Sequence, residues 1–397
     1  MDPKVELSIV MPCLNEAETL ATCIRKARAG LAAAGVAGEI IVADNGSTDG
    51  SIEIAQREGA RVVHVKERGY GSAVRGGAQA ARAEWILMGD ADDSYDFSRI
   101  TGFVQKFREG YDLVMGCRLP SGGGTIAPGA MPWKNRWIGN PLLTFIGRLF
   151  FRCPAHDFHC GLRGFTRRAF EVMDLKTMGM EFASEMVIKA TLRGLKIAEV
   201  PITLHKDGRS RPPHLKPWRD GWRHLRFMLI FSPRWLFLIP GLLLSAAGFL
   251  TGMILALGPV HLGRVTFDVG TLTIAAMTFM VGIQLVAFAF FTKVFAIEEG
   301  LLPHDPKFAR WFRFFTLEKG VLAGAGLFWL GAILLARAFG LWWQTGYGQL
   351  DYAENLRRLI PAATLVMAGL QIVFSSFFLS VLGLKTQSRN PPTSEAR

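Results

Sequence analysis

Four long apolar stretches fill the second half of this 397-residue chain and limit what it can fold into. They run from Trp235 to Leu257, Val269 to Ile297, Val321 to Leu341 and Leu359 to Leu384. Each has about 20 residues or more, enough to cross a ~30 Å hydrocarbon core at ~1.5 Å per helical residue. The charges inside them, Lys293 and Arg337, sit near an end, where a long side chain can snorkel to the interface. Four such runs in succession leave no polar face for a soluble core. A domain of four helical membrane spans is therefore expected over 235–385, with a disordered tail at 386–397.

The chain before Pro233 is different: short apolar runs alternate with polar helices. A charged fraction of 20% is too high for a protein lying wholly within a membrane. The 29 Phe and 10 Trp exclude a disordered chain. Five cysteines, an odd number, exclude a disulfide scaffold. The N-terminus enters a strand-like run at Val5 without a signal peptide, so this part is expected in the cytosol with its cysteines reduced.

The net charge of +12 suits nucleic acid, an anionic membrane surface or phosphorylated substrates. Its placement decides between them. Lys206, Arg209, Arg211, Lys216, Arg219, Arg223, Arg226 and Arg234 gather just before the first span, without a nucleic-acid-binding motif. The bilayer is thus an expected partner and nucleic acid is not. The positive-inside rule puts this segment in the cytoplasm. Lys307, Arg310, Arg313 and Lys319, and the tail with Lys385 and Arg389, then fall on the same side, and only Arg264 lies between spans one and two. Arg357 and Arg358 run against this orientation, which makes a multi-pass protein of the cytoplasmic (inner) membrane with its N-terminal domain in the cytosol. Within a juxtamembrane segment at 211–234, Trp218, Trp222, Leu225 and Leu229 share one helical face and Arg219, Arg223 and Arg226 occupy others, the pattern of an interfacial amphipathic helix.

Residues 1–210 alternate strands and helices, as an α/β domain with a mostly parallel sheet does. Strands are expected at Leu7–Met11, Glu39–Ala43, Arg61–Val65, Trp85–Met88, Leu113–Met115 and Ile197–Leu204. Helices are expected at Glu16–Ala34, Asp49–Glu58, with Ser47 as a plausible cap, Ser72–Ala83 and Phe97–Glu109. Such sheets bind ligands at the carboxyl ends of their strands. Three segments follow strands there: Pro12-Cys13-Leu14-Asn15-Glu16, Asp44-Asn45-Gly46 and Asp90-Ala91-Asp92-Asp93.

Carboxylates packed as closely as Asp90, Asp92 and Asp93 repel one another unless a cation sits between them. A hard divalent ion, Mg²⁺ or Mn²⁺, shared with substrate phosphates fits that arrangement. Asp44 precedes a turn and a helix start, and is also a strand-end carboxylate able to accept hydrogen bonds from a base or ribose. The glycine-rich Gly69–Gly77 run can approach phosphates, but is not a Walker motif or a dinucleotide fingerprint, so a structural role is preferred. Cys153, His156, His159 and Cys160 form a compact group whose spacing matches no standard zinc site.

Met11-Pro12-Cys13-Leu14-Asn15-Glu16, Ala43-Asp44-Asn45-Gly46-Ser47-Thr48-Asp49-Gly50 and Asp90-Ala91-Asp92 together resemble a family 2 glycosyltransferase of the GT-A, Rossmann-like fold. The likeness is to polyprenyl-phosphate glycosyltransferases of the dolichyl-phosphate mannose synthase type. It continues, in order, through Gly116-Cys117-Arg118, Asp157–Phe165, Phe182–Met186 and Glu199–Ile202. The four-span tail is similar in hydropathy to a GtrA-like membrane portion.

The resemblance implies that Pro12, Leu14, Glu16 and Asp44 hold the nucleotide base and ribose, and that Asp90 and Asp92 reach the sugar diphosphate through the metal. Arg118, Arg136 and Arg209 would hold acceptor and donor phosphates. Ser94 stands where the family often has Gln, so Ser94, Asp93 or water is the third metal ligand. Arg209 and Arg211 both stand near the late basic element, and His159-Cys160 replaces the usual Thr/Ser pair. The implied activity is inverting transfer of one sugar from a UDP- or GDP-linked donor to a polyprenyl phosphate, with self-association left open. Two rivals remain. One is transfer to another lipid or a growing polysaccharide, for which Ser232-Pro233-Arg234-Trp235 keeps only Arg-Trp of the usual Gln-x-x-Arg-Trp. The other is a non-catalytic scaffold, against which the intact Asp44, Asp90 and Asp92 argue.

Overall fold

The structure is a computed structural model that describes residues 5–210, 217–299, 301–303, 306, 308, 310 and 316–383. Arg211, Lys216, Lys307, Arg313, Lys385, Arg389 and the expected tail lie outside the described residues. The chain divides into two compact units, Met1–Met228 and Leu229–Arg397.

The first unit is built on seven strands: β1 (Leu7–Cys13), β2 (Gly38–Asp44), β3 (Arg61–His64), β4 (Trp85–Met88), β5 (Leu113–Cys117), β7 (Arg163–Thr166) and β8 (Ile197–Pro201). Their order is β3-β2-β1-β4-β7-β5-β8. All neighbours are parallel except β7, which runs antiparallel to both β4 and β5. β4 and β5 therefore point the same way, and the carboxyl ends of the other six strands share one sheet edge. Ile9–Met11 of β1, Ile86–Met88 of β4 and Leu113–Met115 of β5 are fully buried, which explains why these strands stand out in the sequence.

The sequence shows no sign of β7, because its Arg163-Gly164-Phe165-Thr166 has neither an apolar run nor alternation. Arg163 is nonetheless completely buried, its guanidinium donating to the carbonyls of Cys160, Ala183 and Phe158. Ile197–Leu204 is two strands rather than one. β8 ends at Pro201, which has no N–H for a ladder, and β9 (Thr203–Leu204) pairs with β6 (Thr125–Ile126). The helices around the sheet are α1 (Leu20–Ala34), α2 (Ser51–Arg57), α3 (Tyr70–Ala80), α4 (Thr101–Arg108), α5 (Asn140–Phe151), α6 (Arg167–Met173) and α7 (Phe182–Leu192). α8 (Pro217–Ile230) occupies the expected amphipathic segment. Its His224 and Met228, one turn apart, are buried, while Trp222 is exposed.

The second unit holds α9 (Ile239–Leu257), α10 (Val269–Glu298), α11 (Leu317–Gln344) and α12 (Tyr352–Leu382). A π-type turn, Arg234–Leu238, leads into α9. All four helices are long and apolar enough to span a bilayer. Glycines let them touch backbone to backbone: a Cβ on Gly248 would come within 2.4 Å of Phe279 N on α10, and one on Gly331 within 2.7 Å of Ala362 O on α12. Gln371 of α12 donates to Gln284 Oε1 of α10 at 2.5 Å. The two arginines that oppose the positive-inside orientation are both neutralised, Arg357 by Asp268 (2.7 Å) and Arg358 by Glu354.

Candidate active site

The loops after β1 and β2 are laced together. Asn15 N donates to Ser47 Oγ (3.0 Å), Thr48 N to Asn15 Oδ1 (2.8 Å), Glu16 N to Ser51 Oγ (2.9 Å) and Ala17 N to Asp49 Oδ2 (3.0 Å). Asn15 takes a left-handed φ of 59° to make this crossing, and α1 consequently starts at Leu20, four residues later than the sequence suggests. Ser47 is not a helix cap. α2 begins at Ser51 after Gly50, and the Ser47 hydroxyl faces the β1 loop instead. Pro12 is half-buried at the end of β1, and Leu14, just past it, is exposed. Asp44 closes its own turn, accepting from Gly46 N (3.1 Å) and Ser47 N (3.0 Å), with His64 Nδ1 at 3.5 Å. Burial alone would raise its pKa, but the bonds from Ser47, Gly46 and His64 outweigh it and hold the carboxyl below its ordinary value.

Asp90 and Asp92 follow β4 at the same sheet edge. Asp92 Oδ1 accepts from both Ser94 N (3.0 Å) and Ser94 Oγ (2.6 Å), and Oδ2 accepts from Arg209 Nη2 (2.7 Å). Ser94 therefore braces Asp92. Asp90 is hydrogen-bonded by Tyr70, and its Oδ2 lies against Gly161, where a Cβ would approach to 2.8 Å. Burial, followed by the charge of Asp92, pushes the Asp90 carboxyl up to about 7, while Tyr70, Arg209 and Arg118 pull less strongly the other way. A desolvated acid held short of full ionisation by a neighbouring carboxylate is a site that a cation relieves. Among the described residues no three His, Cys, Asp or Glu side chains gather into a metal cage. Two carboxylates without a cage suit Mg²⁺ or Mn²⁺, which keep waters and substrate phosphates among their ligands.

Arg209 reaches these carboxylates on a strap that follows β9. Leu204 bridges Tyr95, His205 N donates to Ser94 O, and Gly208 N donates to Asp92 O. The guanidinium then spans three carboxylates: Asp92 at 2.7 Å, Glu16 Oε1 at 3.2 Å and Asp207 at 3.2 Å. The structure thus brings Glu16, Asp90, Asp92, Ser94 and Arg209 together.

Arg118 and Arg136 stand apart from that cluster. Arg118, buried at the end of β5, forms a two-pronged pair with Asp157 (Nε to Oδ2 2.7 Å, Nη2 to Oδ1 2.9 Å), and its backbone N donates to the same carboxylate. Burial opposes ionisation of Asp157, but the Arg118 charge and hydrogen bonds prevail and keep its pKa low. Arg136 lies in the turn before α5, beside the Trp137 ring. It lines a pocket of about 750 Å³ with Trp137, Phe145, Arg148, Leu149 and His156. Leu119 and Pro120, directly after Arg118, also line it. The apolar face of this segment, including Trp133, Trp137, Leu142 and Phe145, is exposed.

The sequence reading gave no role to Tyr70, Tyr95, Arg148 or Glu199. Tyr95 Oη accepts from Gly161 N (2.8 Å) and so fixes the backbone under Asp90. Tyr70 stands inside the glycine-rich run, where an aromatic hydroxyl between glycines was the available signal. The glycines there serve packing: Gly71 N donates to Met178 O, and Gly77 rests on Val10 and Ala43. The Cys/His group is dispersed, with His156 on Glu199, His159 beside Ser184 and both cysteines buried.

Residues 8–173 match the model of glycosyl transferase family 2. Residues 290–383, a tail likened on hydropathy to a GtrA-like portion, match instead the glycosyltransferase family 2 C-terminal transmembrane region. The low-salt glycan biosynthesis hexosyltransferase Agl6 of Haloferax volcanii is 38% identical over 379 residues, covering 95% of this chain and 89% of that one. The chain belongs to glycosyltransferase family 2. This family 2 glycosyltransferase is also 30% identical to the dolichyl-phosphate hexose transferase of Haloferax volcanii, over 54% of this chain and 89% of that one. Among solved structures, glucosyl-3-phosphoglycerate synthase from Mycobacterium tuberculosis, crystallised with Mn²⁺, UDP and glucosyl-3-phosphoglycerate, superposes with a TM-score of 0.43 at 22% identity, over 57% of this chain and 78% of that one. The molecule is thus a glycosyltransferase with a catalytic α/β unit and a multi-pass membrane unit.

Proposed function

We propose that this enzyme moves a single sugar, with inversion, from a nucleotide diphosphate to a polyprenyl phosphate at the cytosolic face of the cytoplasmic membrane, as one step of glycan biosynthesis. The α5 pocket carries this reading. Apolar walls from Trp137, Phe145 and Leu149 beside the guanidinium-bearing Arg136 and Arg148 suit a molecule with a hydrocarbon tail and an anionic head. The dolichyl-phosphate hexose transferase named above supports the same acceptor class.

Asp90 and Asp92, with Ser94 alongside, would hold Mg²⁺ or Mn²⁺, which when bound supplies Lewis-acid charge to the departing diphosphate. Pro12, Leu14, Glu16 and Asp44 line the strand ends where the base and ribose would sit. Arg209, paired to Asp92 and Glu16, would exchange those carboxylates for donor phosphate. Arg136 orients the acceptor head. Arg118 acts from beneath, its charge felt at Asp90. A phosphomonoester, with a second pKa near ~6, is largely a dianion at neutral pH and needs no strong base there.

A panel of UDP- and GDP-sugars offered to the purified protein with undecaprenyl phosphate and Mn²⁺ or Mg²⁺ tests this. The expected outcome is one sugar added to the lipid, read by mass. A polymer, or transfer to a neutral lipid in preference to the phosphate, would refute the acceptor assignment.

A further inference from the structure

The α5 pocket contains a group that the proposed transfer does not use. His156 lines it, and the ring is held in place. Nδ1 lies 2.7 Å from Glu199 Oε2, while Glu199 Oε1 accepts the backbone N–H groups of His156 (2.7 Å) and Asp157 (2.9 Å). Glu199 is fixed in β8, in register with Met115 of β5. One carboxylate therefore sets the backbone and the ring orientation together. It also sets the tautomer. An ionised carboxylate only accepts, so Nδ1 carries the hydrogen and Nε2 the lone pair. The His156 side chain stays 40% exposed, whereas Glu199 is mostly covered.

The charged groups facing His156 come from every side of the pocket. Glu199 approaches from β8, Arg136 from the turn before α5 and Arg148 from α5 itself. The Arg118–Asp157 pair adjoins through the backbone. The guanidinium groups can draw in a phosphate but cannot take a proton from it. The His156 imidazole can, through the lone pair on Nε2. Below neutrality a growing share of any phosphomonoester carries its second proton and is a poorer nucleophile.

We propose that His156, tethered by Glu199, accepts the second proton of the acceptor's phosphate head. The proposal rests on the α5 pocket being the acceptor site. In the step, the P–O–H bond breaks at oxygen, the proton passes to Nε2 and the electron pair stays on the phosphate. The dianion then forms its bond to the anomeric carbon as the bond from that carbon to the diphosphate oxygen breaks, the pair leaving with the diphosphate. The imidazolium, flanked by the Glu199 carboxylate, returns its proton to water once the phosphodiester departs.

The test needs no donor sugar. Full-length protein in detergent is titrated from pH 5 to 8 with citronellyl phosphate, a short isoprenoid monophosphate, and the bound probe is followed by ³¹P NMR. In wild type its protonation midpoint is expected about one pH unit below that in H156Q, a tenfold difference in proton affinity. H156S serves as a second variant, with near-ultraviolet circular dichroism to verify folding. Coincident midpoints in wild type, H156Q and H156S, with the probe bound in all three, overturn the role of His156 and leave the pocket assignment standing. No saturable binding to wild type, or binding that R136A leaves untouched, overturns the pocket assignment and this inference with it.

Discussion

The strand-end charge cluster and the α5 pocket, both in the catalytic unit, differ in how their charges are kept. In the cluster, acids outnumber bases: Glu16, Asp90, Asp92 and Asp207 surround Arg209, and each carboxylate oxygen of Asp92 already has a donor. In the pocket the lining charges are the guanidinium groups of Arg136 and Arg148, set among aromatic and aliphatic walls. Arg118 sits between the two designs. It belongs to the loop that lines the pocket, yet it is buried and its charge acts on Asp90. The contrast teaches that a reaction between two anions can be prepared in two ways. On the proposed reading, the acidic site would attract a cation and, through it, one phosphate, while the basic site, walled by apolar side chains, would attract the other phosphate directly.

Four experiments can break or sharpen that contrast. The largest effect is expected from Arg118→Ala. It leaves Asp157 buried without its partner, a loss of about 3–5 kcal/mol of stability, so denaturant unfolding should show a severe defect. Removing both partners in R118A/D157A should restore much of it; if the single variant is as stable as wild type, Arg118 is not the structural bridge drawn here. Asp92→Asn comes next, with transfer falling by about 10²–10³-fold while thermal stability changes little. Near-normal turnover in Mn²⁺ would remove Asp92 from the donor side.

Arg136→Ala should act on the other side of the contrast. Losing one charge-assisted contact costs about 1.5–3 kcal/mol, expected as a raised KM for lipid phosphate with the donor KM unchanged. A donor effect of equal size would merge the two sites into one. The smallest effect is on stability without metal. The Asp90 carboxyl titrates above its ordinary range, so its ionised form penalises the fold. That penalty is absent below the unfolded carboxyl value of ~3.9, grows as the pH rises, and is complete above about 7. Asp90→Asn should therefore raise Tm at pH 8 by several degrees, leave it nearly unchanged at pH 4, and erase any gain from added Mn²⁺. Equal Tm values at pH 8 would mean that neither burial nor Asp92 penalises the Asp90 charge.

Much of the scaffold is legible in the sequence because single strands announce themselves. Ile9–Met11, Ile40–Ala43 and Ile86–Met88 are apolar runs that stop at polar turns, and burial on both sheet faces requires that pattern. The four spans are legible for the same reason, since lipid tolerates few exceptions. What escapes is whatever depends on a distant partner. Arg163 reads as a surface charge until the carbonyls of Cys160 and Ala183 surround it. α5 escapes because its exposed apolar face has the periodicity of a core helix. Motif resemblance brings out Arg118 but not the commitment of its fork to Asp157, and brings out Arg209 without its grip on Asp92, 117 positions earlier.

The Gln284–Gln371 bond in the membrane unit joins residues 87 positions apart. During synthesis Gln284 enters the bilayer before its partner exists. At about 5–20 residues per second, the interval is roughly 4 to 17 s. An amide that waits that long in hydrocarbon favours staying beside the insertion machinery or beside water, so α9 and α10 have reason to be released into lipid only when α12 arrives. Assembly of this unit would then be timed by its last helix.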